Sequence, residues 1–340
     1  MILAILLLLA AFSSPAAAQS AAHSITTVTG AGATFPYPIY AKWFENYRRQ
    51  APGVEFKYDS VGSEAGIRRL LQNNVDFGAS EDPEIFRELA PSVESDYLFF
   101  PSVVGAVVPI VNLPGFGDDI AFTPDALAGI YLGKIKKWND PVLVQANRGR
   151  RMPNLDIVVV HRSDGSGTTY SWTDFLSKTS AEWKAQAGAG LSPKWPVGRS
   201  ANGNDGVAKL VKELGGSIGY VEFIYALQNH LSFGRVRNQE GEFMEASLES
   251  IGAAATNAME AGSDFKVSIV DAPGKGSYPI ASFTWLVVPA RVADTAKRNA
   301  IVDFLTWMLG PGQRQAAALG YLALPSNLAG REAASISGIH

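Results

Sequence analysis

Residues 155 to 169 read Leu-Asp-Ile-Val-Val-Val-His-Arg-Ser-Asp-Gly-Ser-Gly-Thr-Thr: an apolar run suited to a buried strand passes directly into small polar residues that open a helix. The first turn of a helix leaves four backbone N–H groups without intrahelical partners, and the aligned peptide dipoles place roughly half a positive charge there. Gly165 and Gly167 let a ligand approach the backbone, Ser166 and Thr168 bring hydroxyls, and Arg162 brings a permanent charge on a bidentate fork. A small tetrahedral anion suits such a loop. Ser, Asp and Gly ahead of a helix also make an ordinary capped turn, so the loop alone leaves both readings open. It is not a nucleotide P-loop, because no Gly-Lys-Ser/Thr follows the glycines.

Outward from this loop the chain alternates. Ile39, Tyr40, Trp43, Phe44 and Tyr47 share a helical face after Pro36 and Pro38, and Val54, Phe56 and Tyr58 alternate as in a strand. The pattern predicts a helix from Ser63, strands over 75–79 and 102–111, and a helix at Thr123-Pro124-Asp125, which supplies a cap, a first-turn proline and an early acid. It continues with strand 157–160, helices 168–176 and 207–214, strands 218–221 and 283–288, and helix 293–309, where Ile301, Phe304, Leu305 and Met308 share a face. Strands alternating with helices imply an α/β architecture of mainly parallel sheets flanked by helices. Three further strand-to-helix junctions resemble the first in make-up: residues 29–35, residues 60–63 and residues 76–82. Each is by itself also an ordinary turn, but in open α/β sheets ligands bind beyond the carboxyl ends of the strands, so such loops can converge on one crevice.

The first 18 residues run from an apolar stretch, Ile2 to Phe12, through Ser13-Ser14-Pro15 to Ala16-Ala17-Ala18, the layout of a secretory signal peptide cleaved near Ala18. That stretch is too short to span a bilayer. The chain has no cysteine, which excludes disulfides, thiol chemistry and a lipid anchor on a cleavage-site cysteine. Its 340 residues, 47% apolar and 18% charged, describe an ordinary globular protein of two domains. A net charge of -3 offers an anion no large-scale attraction and argues against a nucleic-acid face. A soluble periplasmic protein is expected.

Five motifs, in order, carry a resemblance: Gly30-Ala31-Gly32-Ala33-Thr34-Phe35-Pro36, Val75-Asp76-Phe77-Gly78-Ala79-Ser80, residues 129–138 (Gly-Ile-Tyr-Leu-Gly-Lys-Ile-Lys-Lys-Trp), Arg162-Ser163-Asp164-Gly165-Ser166-Gly167-Thr168, and Gly203-Asn204-Asp205-Gly206. Over nearly the whole mature chain the sequence resembles the periplasmic phosphate-binding proteins that feed the Pst-type ABC transporter. The resemblance implies a two-lobed periplasmic binding protein fold (type II), with the ligand in the interlobe cleft. Lobe 1 would comprise residues 24–108 with 281–340 and lobe 2 residues 109–280, the hinge crossings falling near Val108 and Ile280. It implies inorganic phosphate as ligand, membrane permease and ATPase subunits as partners, a monomer, and no cofactor, metal or catalytic residue. The chain itself has no Walker motif.

Carried over position by position, the resemblance assigns phosphate contacts to Thr34 and Phe35 in the first loop, Ser63 at the second helix, and Arg162, Ser166, Gly167 and Thr168 in the anion loop, with Asp164 pairing the arginine. The sequence departs from the family twice. Where the family has an Asp after Gly-Ala-Ser, this chain has Glu81 with Asp82 one place later; Glu81 is the positional match and is expected to face the anion, with Asp82 supporting. Glu64 also stands where small residues are usual, and is expected as a solvated first-turn residue. A carboxylate in the site has a physical use. Phosphate near neutral pH keeps a proton to donate, whereas sulfate has none and meets repulsion between acceptors in a dry cleft.

Other classes are open to the sequence. A binding protein for sulfate or molybdate would keep the fold, and a secreted phosphoryl or acyl hydrolase could use His161, Asp164 and Ser166, though these lie too close in sequence for easy triad geometry. Lys134, Lys136 and Lys137 beside Trp138 could form a docking face, or a solvated loop over one buried ring.

Overall fold

The computed structural model describes residues 25–116, 119–260 and 266–340, so the expected signal peptide lies outside the described residues. The strands are β1 (Thr26–Gly32), β2 (Val54–Ser60), β3 (Phe77–Ser80), β4 (Tyr97–Asn112), β5 (Ala121–Phe122), β6 (Val158–Arg162), β7 (Arg199–Ala201), β8 (Ser217–Glu222), β9 (Ser232–Phe233), β10 (Arg235–Arg237), β11 (Phe243–Met244) and β12 (Ala281–Pro289). The helices are α1 (Tyr37–Gln50), α2 (Ser63–Leu71), α3 (Ile85–Leu89), α4 (Pro124–Tyr131), α5 (Pro141–Ala146), α6 (Gly167–Thr179), α7 (Ala181–Gln186), α8 (Gly203–Glu213), α9 (Phe223–Gln228), α10 (Leu248–Glu260), α11 (Thr295–Leu309) and α12 (Ser326–Ser335).

The strands run in the order β2-β1-β3-β12-β4-β8-β6-β7, with β9 also on β4 and a small separate sheet β11-β10-β5. The outer pairs β1–β2, β1–β3, β6–β8 and β6–β7 are parallel, as the alternation of elements predicts. The centre differs. β12 pairs antiparallel with both β3 and β4, and β4 pairs antiparallel with β8. The two parallel groups are therefore joined edge to edge through one long strand. β4 gives residues 97–106 to β12 and residues 107–112 to β8, and at the changeover the Val107 N–H donates to the Ile280 carbonyl at 2.9 Å. This is the two-lobed α/β arrangement, with the groups on either side of the changeover as its lobes.

Aromatic rings pack within each group, inside one continuous hydrophobic cluster. In the first, Phe56 packs on Phe304 of α11 at 4.5 Å between ring centroids, and Phe77 stacks on Tyr58. In the second, Trp172 of α6 stacks on Tyr220 of β8 at 5.1 Å, with Tyr131 and Trp195 against them. Thr123, the expected cap, accepts on Oγ1 from the Ala126 N–H, whereas α11 starts two residues later than expected because Asp294 caps it, accepting from the Ala296 and Lys297 N–H groups. Helix α8 starts at Gly203, four residues ahead of the apolar periodicity, because its first turn is polar and gives no hydrophobic signal. Trp138 is buried with its Nε1–H on the Gly216 carbonyl, while Lys134 and Lys137 pair with Glu182 and Asp156 at the surface. Lys134, Lys136 and Lys137 are exposed above the buried Tyr131, Ile135 and Trp138.

Candidate functional site

The carboxyl ends of β1, β2, β3, β6 and β7 all feed loops that meet at one place between the two halves. Close packing of glycines brings the first three together. A Cβ on Gly66 of α2 would lie 2.2 Å from the Gly32 Cα of β1, so no other residue lets this helix sit so low on the sheet. Gly62, with φ of 93°, turns the chain so that its N–H donates to the Gly32 carbonyl and Ser63 enters the site at the start of α2. Across the cleft, Ser166 caps α6, its Oγ accepting from the Thr169 N–H at 3.1 Å. Tyr220 supports that loop from beneath. Its hydroxyl accepts from the Arg162 N–H at 3.2 Å and lies 2.7 Å from Thr169 Oγ1.

The structure brings together the sequence-predicted residues. Thr34, Phe35, Ser63, Glu81, Asp82, Arg162, Ser166 and Thr168 are all buried. Gly167 sits directly against the opposite half: its N–H donates to Ser63 Oγ at 3.0 Å, and a Cβ there would lie 2.1 Å from Glu81 Oε2. Arg162 donates from Nε to Asp164 Oδ1 at 2.8 Å and from Nη2 to Asp164 Oδ2, while its buried Nη1 has no protein partner. Burial alone would raise the Asp164 carboxyl, but the Arg162 guanidinium outweighs it and holds the group below the usual carboxylate range. Asp164 Oδ1 also accepts from the Gly203 N–H at 3.0 Å, which ties the arginine to the start of α8.

The two candidate carboxylates separate by direction. Glu81 receives a hydrogen bond from Thr284 Oγ1 on Oε1 at 2.9 Å; its buried Oε2, the oxygen against Gly167, has no partner in hydrogen-bond geometry, though the Ser63 hydroxyl is close enough to the carboxyl to favour its charged form. Asp82 turns Oδ1 back into its own loop, accepting from the Glu84 N–H at 2.9 Å, and its buried Oδ2, like Glu81 Oε2, has no partner in hydrogen-bond geometry. Burial pushes the Glu81 carboxyl up to about 8, with the Thr284 hydrogen bond and the Arg162 charge moderating the rise, and pushes Asp82 up to about 7. Glu64 ion-pairs with Arg68 one turn along α2 at 2.8 Å, while its N–H donates to the Gly165 carbonyl. His161 stacks on Trp195 at 4.7 Å between ring centroids, with Nδ1 3.0 Å from the Arg162 carbonyl oxygen.

Sequence reasoning missed three residues. Asn204 Nδ2 donates to Thr34 Oγ1 at 2.7 Å and to Thr168 Oγ1 at 3.2 Å, one side chain bridging both halves, while its Oδ1 accepts from the Glu222 N–H. Its motif was legible, but not its reach. Tyr225 donates to the Thr34 carbonyl at 2.6 Å, and Thr284 holds Glu81. Nothing in their local sequence marks either one. Among the described residues no cluster of His, Cys, Asp and Glu could hold a metal ion, and no helix is long and apolar enough to cross a membrane.

Residues 17–311 match the PBP superfamily domain. The phosphate-binding protein PstS of Pasteurella multocida is 42% identical over 304 residues, covering 89% of this chain and 87% of that one. The phosphate-binding protein PstS of Xylella fastidiosa is 43% identical over 303 residues, covering 88% and 82%. Among solved structures, a high-affinity periplasmic phosphate-binding protein bound with phosphate at pH 8.5 has a TM-score of 0.70 at 21% identity, over 92% of this chain and 93% of that one, a likeness of fold.

Proposed function

Because the chain belongs to the PstS family of phosphate-binding proteins within the PBP superfamily, we propose that it captures inorganic phosphate between its lobes and delivers it to the permease and ATPase subunits of an ABC importer. The protein works in the periplasm, after loss of residues 1–18, as a binding protein rather than an enzyme. Lobe 1 takes residues 24–108 and 281–340, lobe 2 takes 109–280, and the hinge lies where β4 changes partners.

One observation carries this reading: a buried guanidinium and a buried carboxyl, Arg162 Nη1 and Glu81 Oε2, each keep a polar atom without a protein partner where the starts of α2 and α6 meet. A tetrahedral anion with one proton supplies acceptors for the first and a donor for the second. Asp164 fixes the guanidinium plane and moderates its charge, so binding rests on geometry as well as attraction. Ser63, Ser166, Thr34, Thr168 and the Phe35 N–H complete the donor set, joined by the Gly167 N–H once the anion takes the place of Ser63 Oγ as its acceptor. Contacts from both lobes make closure depend on the ligand, which a permease can sense.

Isothermal titration with phosphate tests the proposal. Tight one-to-one binding is expected, and Arg162→Ala should weaken it at least about tenfold to a hundredfold, the worth of a charge-assisted hydrogen bond of roughly 1.5–3 kcal/mol. Absence of phosphate binding by the wild-type chain overturns it.

A further inference from the structure

The hydrogen bond from Thr284 to Glu81 does more than hold a side chain still. Thr284 is fully buried on β12, and its own carbonyl accepts from Ser102 Oγ, which in turn accepts from the Tyr40 hydroxyl. The Thr284 backbone is thereby tied into the core of lobe 1, and its hydroxyl approaches one carboxyl oxygen of Glu81, Oε1. While Oε1 accepts from Thr284 it presents no proton along that line, and a proton on Glu81 then sits on Oε2.

Resting on the phosphate site proposed above, we propose that Thr284 is a positioning residue for selectivity: it commits Oε2 of Glu81 to the anion, so that Glu81 donates to a bare anion oxygen when neutral and demands a proton from the anion when ionised. The fixed acceptor of a shorter, ionised acid becomes a group with two roles. A fully deprotonated anion of phosphate's shape, such as sulfate, is then admitted at low pH and refused at high pH, while phosphate retains a proton to donate throughout. The ionisation that divides the two roles lies near pH 8, as burial sets it.

The charges facing Glu81 fit this switch. Arg162 on β6 is the cation; the Glu222 carboxyl, at the end of β8, is pushed well above the usual carboxylate range by burial and accepts from the Ile224 N–H, and Asp82 is turned onto Glu84. The phenols of Tyr40, Tyr58 and Tyr321 are raised by burial and stay neutral where Glu81 titrates.

The test measures phosphate and sulfate dissociation constants for the full chain at pH about 6 and about 9.5, with Thr284→Val, Thr284→Ser and Glu81→Gln beside the wild type. For the wild type the preference for phosphate should grow at least about tenfold across this range, the factor that one pKa unit represents. Thr284→Val should hold that growth to less than about threefold and Thr284→Ser should restore it; Thr284→Ala substitutes if valine is not accommodated. Glu81→Gln, with its amide donor facing the cleft, should show the low-pH preference at both values. A variant lacking the Thr284 hydroxyl that keeps the wild-type growth overturns the inference, as does a wild type that binds phosphate with a preference indifferent to pH. Failure of the wild type to bind phosphate at all refutes the site itself, a distinct result.

Discussion

Glu81 is buried against Gly167 with a carboxyl that holds its proton far more tightly folded than unfolded, and the ligand-free protein should feel this as pH changes. The folded value of about 8 lies above the ordinary 4.5, so the contribution is fully present below about 4.5 and is lost as pH rises through about 8. Thermal unfolding without phosphate should therefore show lower stability at pH about 9 than at about 5. Glu81→Gln should shrink that drop by an amount on the order of a few kcal/mol, since each pKa unit is worth about 1.4 kcal/mol. Part of the slope will persist, because burial also raises Asp82 and Glu222. An undiminished drop in the variant would show that Glu81 does not titrate in this window. At this scale the pairing of Arg162 with Asp164, two positions apart, was legible through the resemblance of their shared motif. Thr284 reaches Glu81 across 203 residues, and a threonine inside a hydrophobic strand looks like any other β-branched strand residue.

Helix starts and strand ends carry the second level of design. α6 begins with Gly167 because a Cβ would strike Glu81 Oε2 at 2.1 Å, Ser63 Oγ at 2.7 Å and the Glu81 backbone N at 2.8 Å. Backbone cannot swing aside as a flexible side chain can. Gly167→Ala should therefore hinder closure and weaken phosphate binding about tenfold to a hundredfold, corresponding to an overpacking cost of about 1–3 kcal/mol, while titration of the open form reports intact lobes through an unchanged circular dichroism spectrum. Asn204→Ala removes the shared donor to Thr34 and Thr168 together with the acceptor for the Glu222 N–H. It should lower stability by about 1–3 kcal/mol, measured by denaturant unfolding, since a buried donor is left unmet. The alternation of strands and helices was legible because it depends on hydrophobic period. Element ends were less so. α8 opens on Gly203, Asn204 and Asp205, and β4 extends back to Tyr97 through half-buried residues, where periodicity carries little signal.

At the scale of the whole molecule, two lobes share β4 and close on each other through Gly62, Glu64, Gly165 and Gly167. Phosphate that bridges them should compact the protein and stabilise it. Small-angle scattering should show a smaller radius of gyration with phosphate than without, and phosphate at a hundred times its dissociation constant should add about 2.7 kcal/mol to unfolding. No change in either would mean that binding leaves the lobes as they were. Two lobes were readable from length and family motifs, but the antiparallel seam between them was not, because the pairing of β4 with β12 and β8 is decided by packing between distant segments. That seam also sets an order of events. β3 and β4 follow each other along the chain, yet β12 stands between them in the sheet. While the chain is being made, β3 can already meet β1 and β4 can meet β8, but neither can meet β12, the strand that joins them, until residues 281–289 emerge. Birth order and neighbour order disagree, so the gap between β3 and β4 stays open until that stretch appears, and only then can the seam be threaded shut.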